Sequence, residues 1–397
     1  MTKTMQTSGT RLRAVGIALA LAIVLVPAVA AQAQTFSVLY NFTGSSDGGY
    51  PYADVIADTK GNLYGTTCGG GSSGYGVVYE VVPKSKTETV LYSFTGSPDG
   101  SCPRAGLVQD SKGNLYGTTE LGGSSGTWGV VYEVVPKTKK ETVLYSFTGS
   151  SDGGWSYAGL IMDTKGNLYG TTYVGGSDGD GVVFKVVPKT EKETVLYSFT
   201  GSTGQYPFQG LAAGKGFADL FGATEEGGTY GSGTVYKLVV KTGTETVLHS
   251  FDNNGTDGAY PIYGYLVQDA KGNLYGTTVD GGSSGSGTVF EVNEKTGDET
   301  ILYNFTDGSD GGYPYGGLAI DSKGNLYGTT ELGGAYGEGT IFKVVPKTKT
   351  ETVLHSFSSS SDGEDPIAGP LLYKGNLYGT TEYGGSGGYG TVWELIP

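Results

Sequence analysis

The sequence predicts an all-β fold, a seven-bladed β-propeller of four-stranded antiparallel blades whose ring is closed by the N-terminal strand pairing in the last blade. The first observation is a repeat. Gly61-Asn62-Leu63-Tyr64-Gly65-Thr66-Thr67 returns at Gly113, Gly166, Gly272, Gly324 and Gly375, and a degenerate copy, Asp219 to Thr224, fills the one gap. The central aromatics Tyr64, Tyr116, Tyr169, Phe221, Tyr275, Tyr327 and Tyr378 are separated by 52, 53, 52, 54, 52 and 51 residues, a period of solenoids, propellers or arrays. The second is that each unit carries four short strand-like runs, such as Gly106 to Asp110, Asn114 to Thr119, Val130 to Val135 and Thr142 to Phe147. None reaches helix length, and tight or glycine-rich turns separate them. The third is how the chain starts and stops. A lone Phe36 to Phe42 strand opens it and Thr391 to Leu395 ends it, so the first strand is the one the last repeat lacks. A solenoid would instead want polar capping repeats, and seven four-stranded units fall within the usual propeller range of about 4–8 blades.

Taken in order, residues 1–33 read as an export leader. Lys3, Arg11 and Arg13 precede the apolar stretch Ala14 to Val29, and Ala31-Gln32-Ala33 offers small residues for cleavage, leaving Gln34 to start one domain over 34–397. Within a repeat, the continuous apolar run of the Gly-Leu-Val-Gln-Asp strand predicts the inner position. Gly65 and its equivalents sit mid-strand, where glycine weakens a sheet. A ring from the Tyr79, Tyr132, Phe184, Tyr236, Phe290, Phe342, Trp393 series is expected to cover each bare spot. The Phe42, Phe94, Phe147, Phe199, Phe251, Phe305, Phe357 series, unchanged in all seven copies, reads as packing between blades.

Composition narrows the function classes. Seventy-two glycines beside 30 tyrosines fit short strands and glycine turns instead of disorder, because aromatic and β-branched residues recur on a fixed period. A net charge of −14 opposes nucleic-acid binding, which needs a basic face. No apolar run after the leader has the length of a membrane helix, so a membrane partner is not expected. The expected protein is a monomer secreted to the periplasm or outside the cell. Cys68 and Cys102, the only cysteines, suit one disulfide in an exported protein. They are expected to pair, since both replace other residues at neighbouring sites of blades one and two.

The Gly-Asn-Leu-Tyr-Gly-Thr-Thr core, followed by Gly-Gly, a glycine loop and Gly-Thr-Val-Phe/Tyr, resembles the GloVer tandem-repeat family of exported bacterial proteins over almost all of residues 36–397. That resemblance implies an exported repeat protein and assigns no activity. Members often bear a C-terminal surface anchor that this chain does not show. A looser likeness, through Asp-x-x-Gly-Asn-Leu-Tyr at the first hairpin, runs to NHL-type and gluconolactonase-like propellers. The latter hold a metal on acidic and amide ligands in the central channel. Here the inner strands begin with Ala105-Gly106-Leu107 or Gly317-Leu318-Ala319, so no such ligand set carries over.

Several residue series have a chemical and a structural reading. His249 and His355 replace the outer-strand tyrosine (Tyr92, Tyr145, Tyr197), which places them at blade rims; neither a histidine metal site nor a Ser-His-Asp triad is expected. Asp58, Asp110, Asp163, Asp269 and Asp321 end five inner strands. As a ring at one channel mouth they would suit a cation, but an aspartate before x-Lys-Gly-Asn also caps a tight turn, which is the favoured reading. Asp47, Asp99, Asp152, Asp257, Asp310 and Asp362 lie in Asp-Gly crossover loops between blades. Calcium is the cofactor their hard oxygens would take; the spacing matches no calcium loop, and a glycine-assisted turn is favoured.

The expected function is a secreted binding or scaffold module, with extracellular polysaccharide or another surface protein as partner. Its candidate patch joins blades seven, one and two. Tyr75, Trp128 and Tyr389, the three aromatics preceding a third-strand glycine, would serve as stacking platforms beside Tyr50. Asp47, Asp362, Glu364 and Asp365 would accept hydroxyl hydrogen bonds. Two alternatives stand beside this reading: a metal-assisted lactonase or polysaccharide lyase, for which no catalytic residues can be assigned, and a purely structural surface protein.

Overall fold

In the computed structural model, which describes residues 1, 2, 4 and 34–397, seven four-stranded antiparallel sheets follow one another along the chain. The leader expected over residues 1–33 lies almost wholly outside the described residues. Residues Gln34–Pro397 form one compact unit. Blade one shows the pattern: Ile56–Ala57, Leu63–Thr67, Val77–Val82 and Thr87–Ser93 are hydrogen-bonded neighbours in that order. The inner strand is the shortest, two residues in most blades. Its preceding Gly-Leu segment, read above as part of the strand, instead lines the axis, and the carbonyl just before it accepts a bond from the preceding blade.

The seventh sheet takes its outer strand from the other end of the chain. Leu371–Tyr373, Asn376–Thr381 and Thr391–Ile396 are completed by Thr35–Asn41, with Thr35 opposite Ile396 and Asn41 opposite Thr391. A register shift between Val38 and Tyr40 repeats the one between Val78 and Tyr79 in blade one. The borrowed strand therefore occupies the same geometry as an internal one.

Each letter of the repeated heptapeptide, and of the turn before it, has a physical task. Asp58 Oδ1 accepts from the amides of Lys60 and Asn62 at 2.8 and 2.9 Å, closing the tight turn. The same pattern recurs at Asp110, Asp163, Asp269 and Asp321. These carboxylates are engaged by their own turns. Leu63 is fully buried, and the Tyr64 hydroxyl donates to Glu80 at 3.1 Å. Thr66 Oγ1 donates to the Ala105 carbonyl of the next blade, and Thr118, Thr171, Thr277, Thr329 and Thr380 do likewise. Thr380 reaches Ala53, so this stitch also spans the two ends of the chain. Thr67 Oγ1 bonds the Gly69 carbonyl and accepts from the Val77 amide, which pins the glycine loop.

Gly65 faces Tyr79 across the ladder, and a Cβ built there would collide with the Tyr79 hydroxyl and ring carbons. The bare spot is filled by an aromatic ring, as the series predicted. Those rings in turn meet the outer-strand phenylalanines of the preceding blade edge-on. Phe42–Tyr79, Phe94–Tyr132 and Phe147–Phe184 have centroids 5.0, 5.0 and 5.1 Å apart. The core is accordingly seven clusters lying between adjacent blades, one of which joins Leu39, Phe42 and Val392 of blade seven to Val55, Leu63 and Tyr79 of blade one.

The Tyr79 hydroxyl is buried without a hydrogen-bond partner, whereas Phe184, Phe290 and Phe342 hold the equivalent place in other blades. An unpaired buried hydroxyl carries its desolvation penalty with nothing gained. Tyr79→Phe is therefore expected to leave stability unchanged or raise it by up to about 1–2 kcal/mol. Urea unfolding measures this, and a loss above about 1 kcal/mol would mean that the hydroxyl has a partner.

Candidate functional site

The blades converge on an axial cavity of about 190 Å³, lined by the segments that enter the inner strands, among them Tyr52, Asp54, Arg104, Tyr157, Phe208 and Tyr263. Two tiers of side chains shape it. At the floor the repeat places glycine: Gly106, Gly159, Gly210, Gly317 and Gly369 approach one another backbone to backbone. A Cβ on Gly369, for instance, would collide with the Gly317 carbonyl oxygen. Asp54 and Tyr265 carry side chains where these other copies have glycine.

Protein surrounds the Asp54 carboxyl on every side, although the cavity leaves it some access to solvent. Burial raises its pKa to about 6, against the lowering effect of its own backbone amide and the Tyr265 hydroxyl. Burial, with the Asp54 charge, also pushes the Tyr265 phenol up.

Above the floor lies a collar of aromatic rings interrupted by one cation. Tyr157 stacks on Phe208 with centroids 4.5 Å apart and planes 2° from parallel, Phe208 meets Tyr263 at 4.3 Å, and Tyr263 meets Tyr315 at 5.6 Å. The Arg104 guanidinium sits 4.3 Å from the Tyr52 ring and 5.9 Å from that of Tyr157. It also donates to the Tyr263 hydroxyl at 3.4 Å and pairs with Glu120 at 2.7 Å. Tyr263 comes from blade five and Arg104 from blade two, 159 residues apart, so this bond spans the cavity mouth. Tyr263 reaches that far because blade five carries an extra residue in Tyr260-Pro261-Ile262-Tyr263-Gly264-Tyr265, with Tyr263 at φ 53°.

Carboxylates ring the collar. Tyr52 and Tyr383 both hydrogen-bond Glu382, and Tyr157 donates to Glu120 at 3.4 Å. Glu331 is pushed up to about 7 by burial and by the charges of Asp365 and Glu382. Asp365 rises to about 6, from burial and then Glu364, Glu382 and Glu338. Burial first, and then like charges, favour retention of a proton, which leaves Glu331 able both to donate and to accept hydrogen bonds near neutral pH.

The sequence-derived patch residues take up places outside this collar. Tyr75, Trp128 and Tyr389 each lie over a crossover glycine, namely Gly96, Gly149 and Gly44. Tyr75 and Tyr389 remain 46 and 37 % exposed. Tyr50 meets both Tyr389 and Tyr383 with centroids 5.4 Å apart. A run of rings therefore leads from Tyr389 through Tyr50 and Tyr383 toward Tyr52 at the mouth.

The patch carboxylates divide. Asp47 accepts from Tyr40, the Thr43 amide and the Thr43 hydroxyl, and Asp362 from His355 and Ser358, so both organise their own crossover loops. Glu364 accepts from Ser359, and only Asp365 joins the mouth. Cys68 and Cys102 form a disulfide between blades one and two, with Cα atoms 3.8 Å apart.

Sequence reading missed the collar because it followed what repeats, and the collar lies where the repeat varies. Its signals were present: the one 54-residue spacing, which marks the insertion before Tyr275, Arg104 standing where most other copies have an aromatic, and Asp54 where most have a glycine. A second missed grouping is at the rim, where His249 Nε2, Asp257 and Glu299 offer donor atoms all within 4.8 Å of one another.

Comparison with known proteins bears on the fold and the family. No curated protein matches. Among solved structures, oligogalacturonate lyase in complex with manganese aligns with a TM-score of 0.59 at 12 % identity, covering 91 % of this chain and 93 % of that one. The GH74 enzyme of Niastella koreensis aligns at 0.57 and 16 % identity, over 90 % of this chain and 53 % of that one. The extracellular domain of a hybrid two-component system, BT3049 from B. thetaiotaomicron, aligns at 0.56 and 14 % identity, over 91 % and 41 %. At these identities the likeness is one of fold. The model of the Gloeobacter/Verrucomicrobia repeat matches residues 26–218 and again 217–393. By that match, and by seven copies of one stitched four-stranded unit, the chain belongs to the Gloeobacter/Verrucomicrobia repeat family.

Proposed function

We propose that this propeller is an exported binding module that takes a carbohydrate at the axial mouth. The observation that carries the reading is the collar: Tyr52, Tyr157, Phe208 and Tyr263 with Arg104 around a cavity of about 190 Å³, and Tyr315 against Tyr263. Flat rings offer stacking surface for the apolar faces of a sugar, while Glu120, Glu331 and Glu382 offer hydrogen bonds to hydroxyls. The cavity is smaller than the roughly 300–1,000 Å³ of usual ligand pockets. It therefore suits one sugar unit or a chain end, with the Tyr383–Tyr50–Tyr389 run as a surface for the units that follow. A leader and a disulfide fit an oxidising compartment, where polysaccharide is met.

A second reading is favoured by one observation, the Asp54 carboxyl with its pKa near 6 at the cavity floor. A carboxyl tuned toward neutrality in a cleft is suited to general acid-base work, and would make the bound sugar a substrate.

A glycan array on the full chain identifies the ligand, and titration of two variants then places it. The double variant Tyr157→Ala with Phe208→Ala is expected to lose affinity by about tenfold or more, since central aromatic contacts carry most binding energy. The triple variant Tyr75→Ala, Trp128→Ala, Tyr389→Ala is expected to lose less than threefold. The reverse order would move the site to the outer patch, and an array with no hit would end the carbohydrate reading.

A further inference from the structure

At the rim, most junctions between blades carry the same small polar unit, and in one of them a histidine takes the place of its tyrosine. The common form is seen where Tyr40 of blade seven donates to Asp47 at 3.0 Å, with Glu88 of blade one beside them. It recurs as Tyr92, Asp99 and Glu141, as Tyr145, Asp152 and Glu193, and as Tyr303, Asp310 and Glu351. In each unit one glutamate oxygen is buried without a hydrogen-bond partner. A phenol satisfies the aspartate by donating its proton, and as a neutral phenol it is a poor metal ligand. Tyrosine in this place therefore makes a closed structural contact.

Between blades four and five the phenol is replaced by an imidazole. His249 Nε2 lies 3.2 Å from Asp257 Oδ2, and Glu299 completes the group, with the three donor atoms within 4.8 Å of one another. Glu299 Oε1 is buried and has no hydrogen-bond partner. We propose that His249, Asp257 and Glu299 form a binding site for one divalent first-row metal ion, of the zinc or manganese class.

The ligand set is one borderline nitrogen and two hard carboxylates, which suits these ions better than calcium, whose sites are built from oxygen alone. Ligand bonds of about 2.0–2.2 Å place two ligands of one ion at most about 4.4 Å apart. The group therefore needs only a small side-chain adjustment to close on a metal. Three protein ligands leave positions for water. The ion would also offset the repulsion between the neighbouring Asp257 and Glu299 carboxylates.

The protein contains its own control. His355 replaces the same tyrosine between blades six and seven and bonds Asp362 at 2.8 Å. There the third position is Phe36, whose ring stacks on the imidazole with centroids 3.8 Å apart and planes 2° from parallel. That junction has two ligands and an apolar lid, and should hold no metal. The two histidines thus have opposite expected behaviour although the sequence places them alike.

The test uses the full chain, stripped with chelator and titrated calorimetrically with zinc and then manganese at pH 7.5. The expected result is one equivalent bound per chain and a higher melting temperature with metal. His249→Tyr restores the residue of the sister junctions, so it is expected to fold normally and to lose at least tenfold in affinity together with the metal-induced rise in melting temperature. Glu299→Gln should behave likewise, while His355→Tyr should bind as the parent does. Absence of binding by the parent, or undiminished binding by a well-folded His249→Tyr, overturns the proposal.

Discussion

Deletion of residues 35–42 is expected to lower the melting temperature by on the order of 10 °C, whereas removal of an equal length of glycine loop should cost a small fraction of that. The segment is the outer strand of the seventh blade, paired along Thr391–Ile396. It also contributes Leu39 and Phe42, which are 3 and 0 % exposed, to the cluster between blades seven and one. Burying such side chains is worth about 1.5–3 kcal/mol each. Phe36 adds its contact with His355, and without the segment Tyr79 loses its edge-on partner. The loss leaves an open sheet edge on Thr391–Ile396, which exposes backbone donors and acceptors to pairing with other chains. The ring would then be held between these blades by contacts such as Thr380 to the Ala53 carbonyl. Thermal melts of the two deletions decide the matter, and equal melting temperatures would show that the pairing contributes nothing particular to stability.

Stability is expected to fall as pH rises from about 4.5 to 8, opposite to the usual behaviour of an acidic protein. Glu88, Glu141, Glu193, Glu245 and Glu351, one on the outer strand of each of five blades, have their pKa values raised from 4.5 to about 7. Burial is the main cause in every one, and a crossover aspartate adds to it for four of them: Asp47, Asp99, Asp152 and Asp310.

The sign follows from linkage. Between the unfolded value and the folded one, the native state holds more protons than the unfolded chain, so raising the pH favours unfolding. The stability is fully present below about 4.5 and lost as pH passes through 7. A tenfold change in proton affinity on folding is worth about 1.4 kcal/mol for a fully desolvated group. These side chains are only half-buried, and screening leaves a fraction of that, but five act in the same direction. A fall of several degrees in melting temperature between pH 5 and pH 8 is expected.

A lower limit comes from Asp163, Asp269 and Asp321. Burial alone would raise these carboxyls, but hydrogen bonds from the turn's asparagine and amides outweigh it and hold them below 3.8. Their contribution is present above that pH and lost as pH falls through the lowered values. Thermal melts at low protein concentration, needed near the isoelectric point of about 4.6, measure the profile. Glu88→Gln together with Glu141→Gln should flatten it, and an unchanged slope would remove these carboxyls as its cause.

What the sequence by itself determined is everything that each repeat demands of itself and of its next neighbour. Leu63 must be apolar, Gly65 must lack a Cβ beside Tyr79, Thr66 must reach the Ala105 carbonyl, and Asp58 must close its turn. These demands are local or reach one blade onward, so they recur every fifty-odd residues and are visible as periodicity. From them the four-stranded unit, its number and the meeting of the chain ends can be read.

The axial collar obeys a different logic. Its residues come one from each of several blades: most touch a ring of the adjoining blade, while Arg104 and Tyr263 meet across the ring. The close pairing of Arg104 with Tyr263, across 159 residues, depends on the radius of the closed ring and on a single inserted residue in blade five. The rim histidines differ for a similar reason. His249 faces Glu299 and His355 faces Phe36 because the partner comes from the adjoining blade, and the seventh blade takes its outer strand from the other end of the chain. Periodicity encodes the demands shared by every blade, whereas sites are made by the side chains that differ. Only ring closure decides which of those differing side chains meet.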